Sequence, residues 1–285
     1  MARGLKICLV MTMVLAGLVG GEPHVPCYFI FGDSLVDNGN NNGLVTSAKA
    51  NFTPYGIDFP YGPTGRFSNG RNLVDIIAEL LGFQNYIPPF ATATDEEILI
   101  GVNYGSGGAG IRDETGQQLG DRISLNKHTT QQAGLYTPEQ YAGVLIHQYS
   151  QQIKTLYDCG ARKVALFGLG QIGCTPAELA AYSTNGSSCV DTINNDVQLF
   201  DDQLVSLVDD LNNNLTDAKF TYINTTRISS DDPSRFGITV LNVPCCNVSS
   251  NFARAYSALS STDAYPMDIR TLAQFSLQTF RSSYK

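Results

Sequence analysis

The chain has 285 residues, 43% of them hydrophobic, and 26 Asp and Glu against 18 Lys and Arg, for a formal net charge of -8. That size suits one large α/β domain with a sizeable core better than two small ones, and the acidity makes nucleic acid and anionic membrane surfaces poor partners. Met1 to Gly21 reads as a secretory signal peptide: Arg3 and Lys6 precede the apolar run "ICLVMTMVLAGLVG", and Val19 with Gly21 suits a small-residue cleavage site. The run is too short to span a bilayer. An N-terminal anchor left uncleaved is the alternative. No other stretch is apolar for long enough to cross. Removing Arg3 and Lys6 takes the charge from -8 to -10. The expectation is an exported, extracellular protein in which residues 22–285 form a single domain, with no stable membrane insertion.

"CYFIFG" (27–32) is a continuous apolar run ending in a turn, the pattern of a buried parallel strand. "NLVDIIAELLGF" (72–83) puts Leu73, Ile76, Ile77 and Leu80 on one helical face and stops near Gly82. "ILIGVNYG" (98–105) reads as a second strand opening into "SGGAG". A long helix is predicted from Thr137, with Pro138 just inside it and Tyr141, Leu145, Tyr149, Ile153 and Leu156 on one stripe. It ends at Gly160, before the strand "KVALFGLG" (163–170). Asp191 to Asn213 is predicted helical with Val197, Phe200, Leu204, Leu207 and Leu211 inward, and "KFTYIN" (219–224) is a strand. The alternation argues a parallel sheet covered on both faces, whose ligands sit beyond the carboxyl ends of strands.

With Cys8 lost in the signal, Cys27, Cys159, Cys174, Cys189, Cys245 and Cys246 remain, an even set for an oxidising route. Cys174 and Cys189 flank a loop rich in Gly, Pro, Ser and Asn and could staple it. Adjacent Cys245 and Cys246 each need a distant partner. Zinc is the weaker reading, because no CxxC or histidine cluster accompanies them. Sequons at Asn51, Asn185, Asn214, Asn224 and Asn247 fit a glycosylated surface.

Ser34 lies just beyond the first strand, where a nucleophile could face solvent with a helix dipole aimed at it. Asp33 or Ser34 would equally make an ordinary N-cap for a helix through Leu35 and Val36. Position alone leaves both open. "GSGGAG" also fits GxGxxG, but no strand ending in an acidic residue follows about 20 residues on, as a dinucleotide site requires.

Five blocks bear on that choice: "FIFGDSLVDNGNNN" (29–42), "GRFSNGRNLVDIIAELLG" (65–82), "GVNYGSGGAGI" (101–111), "YTPEQYAGVLIHQYSQQIKTLYDCGARKVALFGLGQIGCTP" (136–176) and "SSTDAYPMDIRTLAQ" (260–274). In this order they resemble the plant-type GDSL esterase/lipase family of the SGNH hydrolase superfamily. The resemblance implies a three-layer, doubly wound, flavodoxin-like parallel sheet. It makes Ser34 the nucleophile of an ester hydrolase acting without a cofactor on acyl esters or lipids. It also gives the backbone N–H of Ser34, and that of Gly108 or alternatively Gly110, the role of oxyanion donors, which stabilise the charge that develops on a tetrahedral intermediate.

Two family blocks are missing. No G-x-N-D strand lies between the glycine block and "YTPEQY", and no D-x-x-H follows the paired cysteines, so the oxyanion Asn, the general base and its orienting Asp have no counterpart. The chain's 3 histidines are His24, His128 and His147. His24 should sit at the amino end of the first strand, roughly 20 Å from Ser34 at about 3.3 Å per residue. His147 should lie on a solvated helix face, and His128 falls in a polar stretch. A serine without a base is a poor nucleophile. The expectation is therefore an inactive or very weak hydrolase lacking the central third strand, with Tyr28 to Phe31 pairing directly beside Val164 to Phe167 in a four-stranded sheet. A non-catalytic binder of lipid or sugar esters, or a shortened product of an active hydrolase gene, would carry the same residues. Oligomeric state is not legible.

Overall fold

The computed structural model describes residues 23–124, 136–183 and 189–229. The signal segment, His128, Asn185, Asn247, Cys245, Cys246 and the tail block at 260–274 lie outside the described residues.

The apolar run at 28–32 is extended and lies parallel to 100–106. Tyr28 N donates to Ile100 O, Ile30 N to Val102 O, Tyr104 N to Ile30 O and Ser106 N to Gly32 O, at 2.8–3.1 Å. On the other edge of the second segment, Asn103 N donates to Pro88 O and Phe90 N to Asn103 O. These are short ladders, with Ile30 and Pro89 each bridged to Asn103. Helix α1 (Leu73–Leu80) covers one face of them. Its N-cap Asn72 and Asp75 form a reciprocal capping box, which satisfies two N–H groups that a helix start leaves open. Ile76, Ile77, Ala78 and Leu81 pack with Ile30, Phe83 and Ile87 into one core. A short helix α2 (Asp95–Ile98) leads into the second segment.

Farther along, Thr137 and Gln140 cap α3 (Pro138–Asp158), with the proline inside the first turn. It leads to β1 (Lys163–Phe167) and, through a tight loop, to α4 (Pro176–Tyr182). Then come α5 (Asp191–Asn214), β2 (Lys219–Ile223) and a final turn of helix, α6 (Thr225–Ser229). β1 and β2 pair in parallel, in register from Lys163 opposite Lys219 to Phe167 opposite Ile223. Ile153 of α3, Phe200, Leu204, Leu207 and Leu211 of α5, and Leu166 and Phe220 of the strands form the second core. Cys174 and Cys189 are disulfide-bonded, closing the loop around α4. Among the described residues no helix is long and apolar enough to cross a membrane.

The parallel α/β class stands, but the expected pairing of Tyr28–Phe31 with Val164–Phe167 is not formed. β1 pairs with β2 in a two-stranded sheet, and the backbone bonds of 28–32 go to 100–106. Side chains join the two parts instead. Phe167 enters the first core and Ile111 the second, and Gln152 Nε2 of α3 donates to Ile111 O at 2.9 Å. With Ile111 anchored on α3 directly after the glycine loop, the two ladders meet through packing, and Phe29 and Phe31 stay more than a third exposed.

Candidate active site

Ser34 stands where the first extended segment gives way to a turn. Asp33 shapes that turn: its carbonyl accepts from Val36 N and Asp37 N, and its carboxylate accepts from Leu35 N at 2.9 Å. Burial pushes the Asp33 carboxyl above its usual range, against the hydrogen bond from Leu35 N that favours the ionised form. No helix runs through Leu35 and Val36, so the N-cap reading reduces to a single turn capped by Asp33. Ser34 is 9% exposed, and neither its backbone N–H nor its hydroxyl makes a hydrogen bond with another described residue.

The glycine block curls beside this turn. From Gly105 to Gly110, four N–H groups are taken: Gly105 N by Asn103 Oδ1, Ser106 N by Gly32 O, Gly107 N by the Asp37 carboxylate and Ala109 N by Ser106 O. Those of Gly108 and Gly110 have no acceptor among the described residues. Gly108 has φ +82°, a conformation that favours glycine, and an added Cβ would meet Leu119 Cδ1 at 3.2 Å. Ser34, Gly108 and Gly110 thus each keep an N–H without an acceptor among the described residues, the first at the serine turn and the other two on the loop that Gly107 ties to Asp37. This is the kind of donor set that can receive a developing oxyanion.

The polar run after Ser34 holds the glycine block in place. Asn40 Nδ2 donates to Asn103 O and Gly105 O, and Asn40 Oδ1 accepts from Ala91 N. Asn41 Nδ2 donates to Ala48 O and Gly107 O, and Asn41 Oδ1 accepts from Ser106 Oγ. Asn103 Nδ2 and Asn72 Nδ2 both donate to Val36 O. Sequence reasoning placed Asn40 and Asn41 only in the run "NGNNNG" that a non-catalytic binder would use to hold an ester, and did not single out Asp37 or Asn103. Their signal was the density of short amides and carboxylates between two glycine-bearing segments.

The described histidines are elsewhere. His24 is exposed at the amino end of the segment whose carboxyl end carries Ser34, with its N–H on Leu81 O. His147 is exposed on α3, its Nε2 lying 3.1 Å from Gln151 Nε2 one turn on. Of the sequon residues, Asn51, Asn214 and Asn224 are exposed. Among the described residues no group of three or more His, Cys, Asp and Glu is placed to hold a metal.

A parallel α/β frame with a serine turn and a glycine loop at the carboxyl end of one ladder is the arrangement of a serine-dependent hydrolase class. Within it, the chain belongs to the GDSL-like Lipase/Acylhydrolase family, whose model matches residues 28–265. It is 42% identical to GDSL esterase/lipase At1g29670 of Arabidopsis thaliana, over 94% of this chain and 98% of that protein. It is 45% identical to GDSL esterase/lipase At4g18970 of the same plant, over 88% of this chain and 84% of that one. The first match runs over 358 positions, more than this chain's 285 residues, so dozens of positions of that relative face no residue here.

Proposed function

We propose that this chain is an exported member of the GDSL esterase/lipase family that binds acyl or lipid esters at Ser34 and hydrolyses them at or near background. Ser34 is the nucleophile in this reading, and its own N–H with that of Gly108, or Gly110, forms the oxyanion hole. The observation that carries it is the pairing of unengaged N–H groups at Ser34 and on the glycine loop tied to Asp37 with the placement of the described histidines. One lies at the far end of the serine's own segment, and the other is on the outside of α3. The missing D-x-x-H block and the unmatched positions against a longer relative support the same reading. Without a base the hydroxyl stays protonated, although oxyanion and binding terms alone can leave about 10³–10⁴ over water.

The test is fluorophosphonate labelling and p-nitrophenyl ester turnover of the full-length chain recovered from a secretory host. Both are expected near background, on material that begins near Glu22 and carries glycans. Robust labelling abolished by Ser34→Ala, and also by substituting one of His24, His128 or His147, would overturn the inactive reading. Intracellular retention with Met1 intact would overturn export.

A further inference from the structure

We propose that Asp37 is the positioning residue of the oxyanion hole, with Asn41 as its second brace; the inference rests on the reading of Ser34 and Gly108 given above. Asp37 is fully buried, yet its charge is met by backbone N–H groups, and the two oxygens divide the work. Oδ1 accepts from Gly39 N at 2.8 Å and Asn40 N at 2.9 Å, which shapes the turn after the serine. Oδ2 reaches 70 residues along the chain to accept from Gly107 N at 2.8 Å. Asn41 Nδ2 takes the carbonyl of the same Gly107, also at 2.8 Å. Gly107, the residue before Gly108, is thus gripped at both its N–H and its carbonyl.

The consequence concerns which N–H faces the ester. The Gly107 carbonyl and the Gly108 N–H share one trans peptide and point opposite ways, so the hold of Asn41 Nδ2 on that carbonyl turns the Gly108 N–H away from Asn41, while Gly107 N and Ala109 N are taken by Asp37 and Ser106 O. The fit is close: a Cβ on Gly107 would fall 2.7 Å from Phe67 Cζ and 2.9 Å from Asn41 Nδ2, so no side chain fits there beside the brace. Because Asp37 follows Ser34 by three residues, one rigid turn carries the nucleophile and sets the donor that opposes it. An oxyanion donor acts only when it is oriented before charge develops, so a group that fixes the donor affects the chemical step more than ground-state binding.

Asp37→Asn separates this role from ordinary turn formation. The amide oxygen can keep Gly39 and Asn40, while the NH₂ now confronts the Gly107 N–H and cannot accept it. The full-length chain and this variant are compared in hydrolysis of p-nitrophenyl butyrate with imidazole added as the external base, after subtracting the rate of Ser34→Ala. Amide exchange at Gly39, Asn40, Gly107 and Gly108 is followed in parallel. The expected result is a loss of about tenfold to a hundredfold in kcat with KM within about twofold. Exchange should be faster at Gly107 and unchanged at Gly39 and Asn40.

If Gly107 loses protection while kcat holds, the positioning role is overturned and the reading of Ser34 survives. If the unmodified chain shows no Ser34-dependent rate even with imidazole, the reading of the site fails and takes this inference with it. Should Asp37→Asn not fold, Asn41→Ala carries the same test, because it removes the hold on the Gly107 carbonyl and leaves the Asp37 turn intact. An unchanged kcat there would equally overturn the proposal.

Discussion

In residues 23–124 the side chains most completely shielded from water include Asp37, Asn40, Asn41, Asn103 and Ser106, whereas beyond residue 136 they are Phe220, Ile153, Leu204 and Ile223. The first region has little regular structure: short parallel ladders, α1 and many turns. It is held where side-chain amides and carboxylates take the place of ladder partners. The second is an ordinary helix and strand packing built on apolar stripes. Apolar contacts are non-directional and tolerate substitution, while a satisfied polar network is directional and fixes one geometry. The region carrying Ser34 is built in the second manner, which suits a site that must aim N–H groups.

The largest expected effect breaks the polar region at the buried Arg66–Asp75 ion pair. Arg66 grips Asp75 with two bonds of 2.7 and 2.8 Å, both side chains at most 6% exposed, and its guanidinium lies over Phe59. Arg66→Met strands the Asp75 carboxylate and is expected to cost about 3–5 kcal/mol in urea unfolding. A loss below about 1 kcal/mol would mean that neither the ion pair nor the stacking of the Arg66 guanidinium on Phe59 and Tyr86 holds this corner, and the contrast between the regions would weaken.

Leu204→Ala is the matching cut in the apolar region. Leu204 is fully buried at the centre of α5, so the change should cost about 2–5 kcal/mol, set by how far the second core collapses onto the space. Amide protection at Gly107 should be unaffected, since Asp37 and Asn41 hold it from the other region. A parallel loss at Gly107 would show the two cores unfolding as one unit.

A pH dependence sharpens the comparison further. Burial pushes the Asp37 carboxyl above its usual range, only partly offset by the hydrogen bonds from Gly39, Gly107, Asn40 and Asn41. The folded state then holds the proton more tightly than the unfolded chain. The stability this contributes is full below the unfolded value near 3.8 and is lost as pH rises through the folded value. The stability of the unmodified chain minus that of Asp37→Asn, measured in urea at several pH values, is therefore expected to fall as pH rises through that window. A difference that grows with pH would reverse the sign.

What the sequence made legible follows the same division. The stripe Leu145, Tyr149 and Ile153 and the run Phe200, Leu204, Leu207 and Leu211 identify α3 and α5 because apolar burial imposes a period on a helix. The serine turn and glycine loop were visible as motifs. The bracing by Asp37, Asn40 and Asn41 was not, because a polar run between glycines reads as a solvated loop until its distant partners are known, and Gly107 lies far along the chain. Asp201 was missed for the converse reason: it interrupts an apolar face of α5 to accept from Leu169 N at 2.8 Å, a bond with no local signature. The expected pairing of the two apolar strands failed because apolar strands signal burial and leave the neighbour unspecified.

The smallest expected effect compares one motif in the two settings. Asn72 and Thr137 each open a helix with a reciprocal capping box, to Asp75 and Gln140. Thr137 is exposed and its bonds stay within its own first turn, so Thr137→Ala should cost about 1 kcal/mol, with water replacing the lost acceptor. Asn72 is 5% exposed and its Nδ2 also donates to Val36 O, in the serine turn, while its capping partner Asp75 is the carboxylate that Arg66 holds. Asn72→Ala therefore leaves a buried N–H and loosens a contact to the turn that carries Ser34, and it should cost more than Thr137→Ala by about 1–3 kcal/mol. Equal losses at the two caps would mean that the buried bonds around Asn72 add nothing beyond the local box. In that case the polar bracing of the first region would be a consequence of its fold rather than what holds it.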